Sequence, residues 1–120
     1  MAAKEEKRQQ KRYILDKSFT LHHLGEPCRV VDISETGLGI SYIGGEDWPE
    51  RITLEYSLSP ESETRKSVTC RTVWESRMDF YKTRREEVVR RRGLEFMEPN
   101  TGEVDELHRH LRNLAEGQAY

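Results

Sequence analysis

Phe19, Leu21 and His23 alternate with Thr20 and His22, the two-residue period of a strand with one face buried. A valine-rich run follows from Cys28 to Ile33, and Leu38, Ile40 and Tyr42 then alternate with Gly39 and Ser41. Ile52, Leu54, Tyr56 and Leu58 alternate with Thr53, Glu55 and Ser57, the cleanest strand in the chain. Val68, Cys70, Thr72 and Trp74 continue the pattern, in which a tryptophan is more often core than beside a ligand, and Leu94 and Phe96 predict a short last strand. Turn signals separate these runs at Gly25-Glu26-Pro27, Thr36-Gly37, Gly44-Gly45-Glu46-Asp47 and Ser59-Pro60-Glu61. Six short strands with such punctuation predict an all-β domain, a small antiparallel barrel or sandwich.

The period changes at the end of the chain. Val104, Leu107, His108, Leu111, Leu114 and Ala115 follow helical spacing and predict one amphipathic helix over about 103–116. Asn100 with Glu103 reads as a capping box, and Gly117 as a stop. Packing the apolar stripe over an open end or face of the barrel is the expected use; docking on a partner is the other. Residues 76–92 fit two descriptions. Met78, Phe80 and Tyr81 with Val88 and Val89 suit a long hairpin with a charged tip, whereas the arginines suit a solvated mobile loop, the reading preferred here. Before the first strand everything up to Lys11 is polar. The chain therefore divides into an arm over 1–12, flexible or a frayed helical turn, and one domain over 13–120.

Composition agrees with a single small core. The chain has 120 residues, 34% hydrophobic and 35% charged, enough for one domain with loose ends. A net charge of -2 gives no overall field to favour long DNA or RNA. The basic residues are clustered instead, Lys4, Lys7, Arg8, Lys11 and Arg12 at the start and Arg84, Arg85, Arg90, Arg91 and Arg92 later. An anion gripped locally by arginine suits this distribution better than a surface laid on a polyanion. Cys28 and Cys70 lie far apart and read as reduced, partly buried thiols. The charged start and the lack of any long apolar run point to the cytoplasm without membrane insertion.

Two segments carry candidate binding chemistry. Asp32-Ile33-Ser34-Glu35-Thr36-Gly37 joins a valine-rich strand to an alternating one; its Asp, Ser and Thr can bond to nearby backbone, and Gly37 can take positive φ. By itself it is a well-made turn. Arg8 and Arg12 share a face if the arm is helical, or grip two sides of one ligand if it is extended. Guanidinium forks match phosphate oxygens and the O6/N7 edge of guanine. By themselves they are a solvated basic tail.

Together, Arg-x-x-x-Arg before the first strand and Asp-x-Ser-x-x-Gly at a strand junction some twenty residues on resemble the PilZ domain family. Leu38-Gly39-Ile40, Arg71-Thr72-Val73-Trp74 and Gly93-Leu94-Glu95-Phe96 echo the same pattern, so the resemblance covers roughly Arg8 to Phe96 plus a C-terminal helix. It implies a six-stranded antiparallel β-barrel of the PilZ-like split type that binds cyclic di-GMP, usually as an intercalated pair, under a flexible N-terminal arm. Carried over, Arg8 and Arg12 meet phosphates and guanine Hoogsteen edges, Asp32 and Ser34 hydrogen-bond a guanine, and Gly37 holds the turn. Lys7 and Lys11 are further candidates for phosphate charge, and Trp74 for a place beside the base. Gln9 departs from the family, where a second arginine often follows the first, and so bears on affinity and stoichiometry.

The resulting expectation is a non-enzymatic receptor, a monomer or weak dimer, whose arm orders around cyclic di-GMP and signals to an unidentified effector protein. The alternative is a PilZ-type interaction module with little or no nucleotide binding. An oligonucleotide-binding barrel ranks third, because aromatics are 8% of residues and mostly alternate with the expected core. No cofactor or metal is expected. His22 and His23 point to opposite strand faces, His108 and His110 are two apart on a helix, and Ser34 has no histidine at a recognisable spacing.

Overall fold

The computed structural model describes residues 12–15, 17–44, 47–59, 65–80 and 87–115, with 78–80 and 87 described by backbone alone. The strands are β1 (Arg12–Ile14), β2 (Thr20–His23), β3 (Glu26–Ser34), β4 (Gly37–Ile43), β5 (Arg51–Tyr56), β6 (Lys66–Phe80) and β7 (Glu87–Phe96). One helix, α1 (Gly102–Leu114), follows. All pairings are antiparallel, and the ring β2-β5-β6-β7-β4-β3 closes through β3–β2 and β3–β4, a six-stranded barrel with β1 added beside β3. Of the two expected β architectures, the barrel is the one formed.

Alternation drives the closure. Leu21, Val30, Ile40, Leu54, Cys70 and Leu94 each come from a different strand and are buried in one interior. Cys28 and Cys70 are both buried there as free thiols. Helix α1 buries Val104, Leu107 and Leu111 against this core, and the Tyr56 hydroxyl donates to the Glu103 carbonyl at 2.8 Å. The stripe is thus used within the molecule, and burying it contributes more than helix propensity does. The cap lies one residue later than expected: Thr101 Oγ1, rather than Asn100, accepts from the Val104 amide at 3.3 Å. Gly117, the expected stop, lies outside the described residues. No helix among the described residues is long and apolar enough to cross a membrane.

Three expectations are corrected. The last strand is ten residues rather than short, and β6 and β7 run as a continuous ladder out to Phe80↔Glu87, so the hairpin forms where a mobile loop was preferred. The arginines explain the misreading. Arg90 and Arg92 are not solvated but buried, 5% and 2% exposed. Arg92 donates to the Tyr42 hydroxyl at 3.0 Å, Thr72 Oγ1 at 2.9 Å and the Pro49 carbonyl at 2.7 Å; Arg90 bonds Asp47 and Glu75. Those partners offset the cost of burying the charge. Trp48 stacks on Tyr42 at 3.8 Å and packs on His23 at 4.7 Å, closing this end of the barrel. Second, the first turn centres on Leu24-Gly25, both at positive φ, and Pro27 already pairs within β3. Third, Trp74 is not in the core: it is 41% exposed.

Candidate functional site

The β3–β4 corner is built from its own sequence. Ser34 is buried, and its hydroxyl donates to the Gly37 carbonyl at 3.3 Å, so the serine staples the turn. The Ser34 carbonyl in turn accepts from His108 Nε2 on α1 at 3.0 Å. Gly37 does not have positive φ. Its glycine is required by crowding, since a Cβ there would stand 1.8 Å from the Leu94 carbonyl oxygen of β7. Backbone approach, not turn handedness, is the reason for that residue.

Asp32 points outward because of a β-bulge. Val30 faces the core, and strict alternation would send Asp32 inward as well. A register shift between Val30 and Asp32 turns the carboxylate to the outer face while Ile33 stays buried. There its Oδ1 lies over Gly39, where a Cβ would come within 2.5 Å of it. Arg12, the first residue of β1, reaches the same oxygen through Nη1 at 3.1 Å. Asp32 and Arg12 are therefore one partly exposed pair.

A second bulge acts in the same way on β6. The shift between Thr72 and Trp74 turns the indole outward, and it lies across Gly93, where a Cβ would be 1.9 Å from Nε1. The registers Asp32↔Gly39, Gly39↔Gly93 and Gly93↔Trp74 put these four residues in one row across β3, β4, β7 and β6. Neighbouring strands stand about 4.8 Å apart, so the aspartate and the tryptophan, about 14 Å from Cα to Cα, lie from opposite ends over a shelf whose two glycines add no side chain of their own. A planar heterocycle can lie on such a shelf, stacked on the indole with its N–H edge toward the carboxylate.

Of the residues expected at a site, Arg12 and Asp32 are in contact and Trp74 lies on the same row three strands away, while Ser34 and Gly37 stand at the corner. Arg8, Lys7 and Lys11 lie outside the described residues. In the sequence Gly39 and Gly93 stand only within segments that echo the family pattern. The signal for their role was available, because a glycine inside a strand marks a bulge or a close approach. Among the described residues no three His, Cys, Asp or Glu side chains form a metal-binding group.

No curated protein and no solved structure matches the chain. The family model for the PilZ domain matches residues 6–113 of the 120, spanning the barrel and nearly all of the helix. The chain belongs to the PilZ domain family, whose members are modules of the cyclic di-GMP-binding type.

Proposed function

We propose that the Asp32–Gly39–Gly93–Trp74 row is where this protein receives a guanine of cyclic di-GMP. Asp32 accepts from guanine N1–H and N2–H, the Trp74 indole stacks on the ring, and the glycines let both side chains lie flat against the wall. Arg12, already beside Asp32, offers its remaining N–H groups to a phosphate or to guanine O6/N7, and Arg8 does the same from the arm. The arm preceding Arg12 orders as these contacts form, and that ordering is the signal passed to an effector protein. Two bulges that bring a carboxylate and an indole out of alternation onto one glycine shelf are the observation that carries this reading.

Calorimetric titration with cyclic di-GMP tests it. Wild-type protein should bind, and Asp32→Ala, Arg8→Ala or Arg12→Ala should each weaken binding about tenfold or more, the worth of a charge-assisted hydrogen bond. Tryptophan emission should be quenched in the wild type and not in Trp74→Phe. Absence of binding at high micromolar ligand would overturn the proposal.

A further inference from the structure

Next to the glycine shelf lies a second row on the same outer face. The registers Arg29↔Ser41, Ser41↔Arg91 and Ser76↔Arg91 align Arg29, Ser41, Arg91 and Ser76 across the same four strands. Ser41 is two residues from Gly39 on β4, Arg91 two from Gly93 on β7, and Ser76 two from Trp74 on β6, so all point to the shelf's side of the wall. Two residues of strand separate the rows by about 7 Å, and two strand steps place the arginine Cα atoms about 10 Å apart.

Among the described residues no carboxylate pairs with the charges on this row. Arg29 and Arg91 are exposed and have no ion-pair partner among the described residues. Their neighbours are otherwise engaged. Arg90 and Arg92 take Asp47 and Glu75, Arg71 takes Glu95, and Arg12 takes Asp32. Asp32 is the one carboxylate on the two rows. Two like-charged forks fixed on rigid strands, with only a serine between them, repel each other until an anion sits there.

We infer that Arg29 and Arg91 form a phosphate-binding subsite for the cyclic dinucleotide whose base lies on the shelf. This rests on the proposed function above and extends it. The ring of a cyclic dinucleotide carries its phosphodiester groups beside its bases, so a ligand stacked on Trp74 presents non-bridging oxygens to the adjacent row. Each guanidinium can hold a phosphate through paired N–H donors, and the Ser41 and Ser76 hydroxyls add donors to the same oxygens. The subsite stands on the barrel wall rather than on the arm. It supplies cations in a chain whose arm carries Gln9 instead of a second adjacent arginine.

The test titrates cyclic di-GMP into wild type, Arg29→Ala, Arg91→Ala and the double variant, with Arg65→Ala as a control for an exposed arginine elsewhere. Each single change should weaken binding about five- to tenfold, the double change more, and the control not at all. Raising salt from about 0.05 to about 0.3 M should weaken wild-type binding more steeply than that of the double variant. Arg91→Lys should restore only part of the loss, because the charge returns without the fork. If wild type binds, Asp32→Ala is impaired and the double variant titrates as wild type, the arginine row is wrong and the shelf stands. If wild type does not bind, the shelf fails and the row with it.

Discussion

Gly37 and Gly39, two residues apart, are glycines for different reasons. At Gly37 an added methyl would meet the Leu94 carbonyl, main chain that cannot turn aside. Gly37→Ala should therefore cost about 2–3 kcal/mol of stability in urea unfolding, as overpacking against fixed atoms does. At Gly39 the same methyl meets the Asp32 carboxylate, the end of a side chain that can swing away. Gly39→Ala should lose less than about 1 kcal/mol of stability yet weaken cyclic di-GMP binding as strongly as Asp32→Ala. Comparable unfolding midpoints for the two variants would refute the distinction. The motif glycine answers to main chain, and the glycine two residues on answers to the Asp32 side chain.

At the scale of elements, the hairpin β2–β3 turns through Leu24 and Gly25, with φ of 50° and 83°. Both central residues at positive φ make the primed turn that suits a two-residue hairpin, and Gly25 takes it without strain. Leucine does not, and here it is also 85% exposed, so no packing recovers the cost. Leu24→Asn should raise stability by about 1 kcal/mol, seen as a higher urea midpoint with an unchanged slope. The other strands show what alternation can and cannot reveal. Strands β4 and β5 are legible because inward and outward residues follow polarity from Leu38 to Tyr42 and from Arg51 to Tyr56. β7 reads short because Arg90 and Arg92 face inward, whereas charge in a sequence reads as exposure. Trp74 was placed in the core because a bulge leaves no mark in the spacing of side chains. The corner Asp32–Gly37 could be read as a local segment. The shelf could not, since Gly39 and Trp74 become neighbours only through β7, and register between distant strands is set by closure of the whole barrel.

For the whole molecule, the buried thiols make stability depend on pH in one direction. Burial pushes both Cys28 and Cys70 up from 9.0 to about 12, with the nearby Cys28 adding to the effect on Cys70. Tyr56 moves from 10.0 to about 12 through burial and then the charges of Glu106 and Glu103. In each case the folded chain keeps a proton that the unfolded chain releases. Their contribution is thus fully present below about pH 9 and is lost as pH rises toward 12. The urea midpoint should stay level from neutral pH to about pH 8.5 and fall steadily above pH 9. A midpoint that rises through that window would contradict the burial of these groups.

The ring of strands also has a weakest join. β2 and β5 meet through a single registered pair, His22↔Glu55, whereas β4 and β7 are zipped from Gly37↔Glu95 to Ile43↔Val89. In the order β2-β5-β6-β7-β4-β3, these two joins are diametrically opposite. Local opening begins where the fewest backbone hydrogen bonds resist it. Hydrogen exchange should accordingly run faster along the β2–β5 latch, at the back of the barrel, than along β4 and β7 in the wall bearing the glycine shelf.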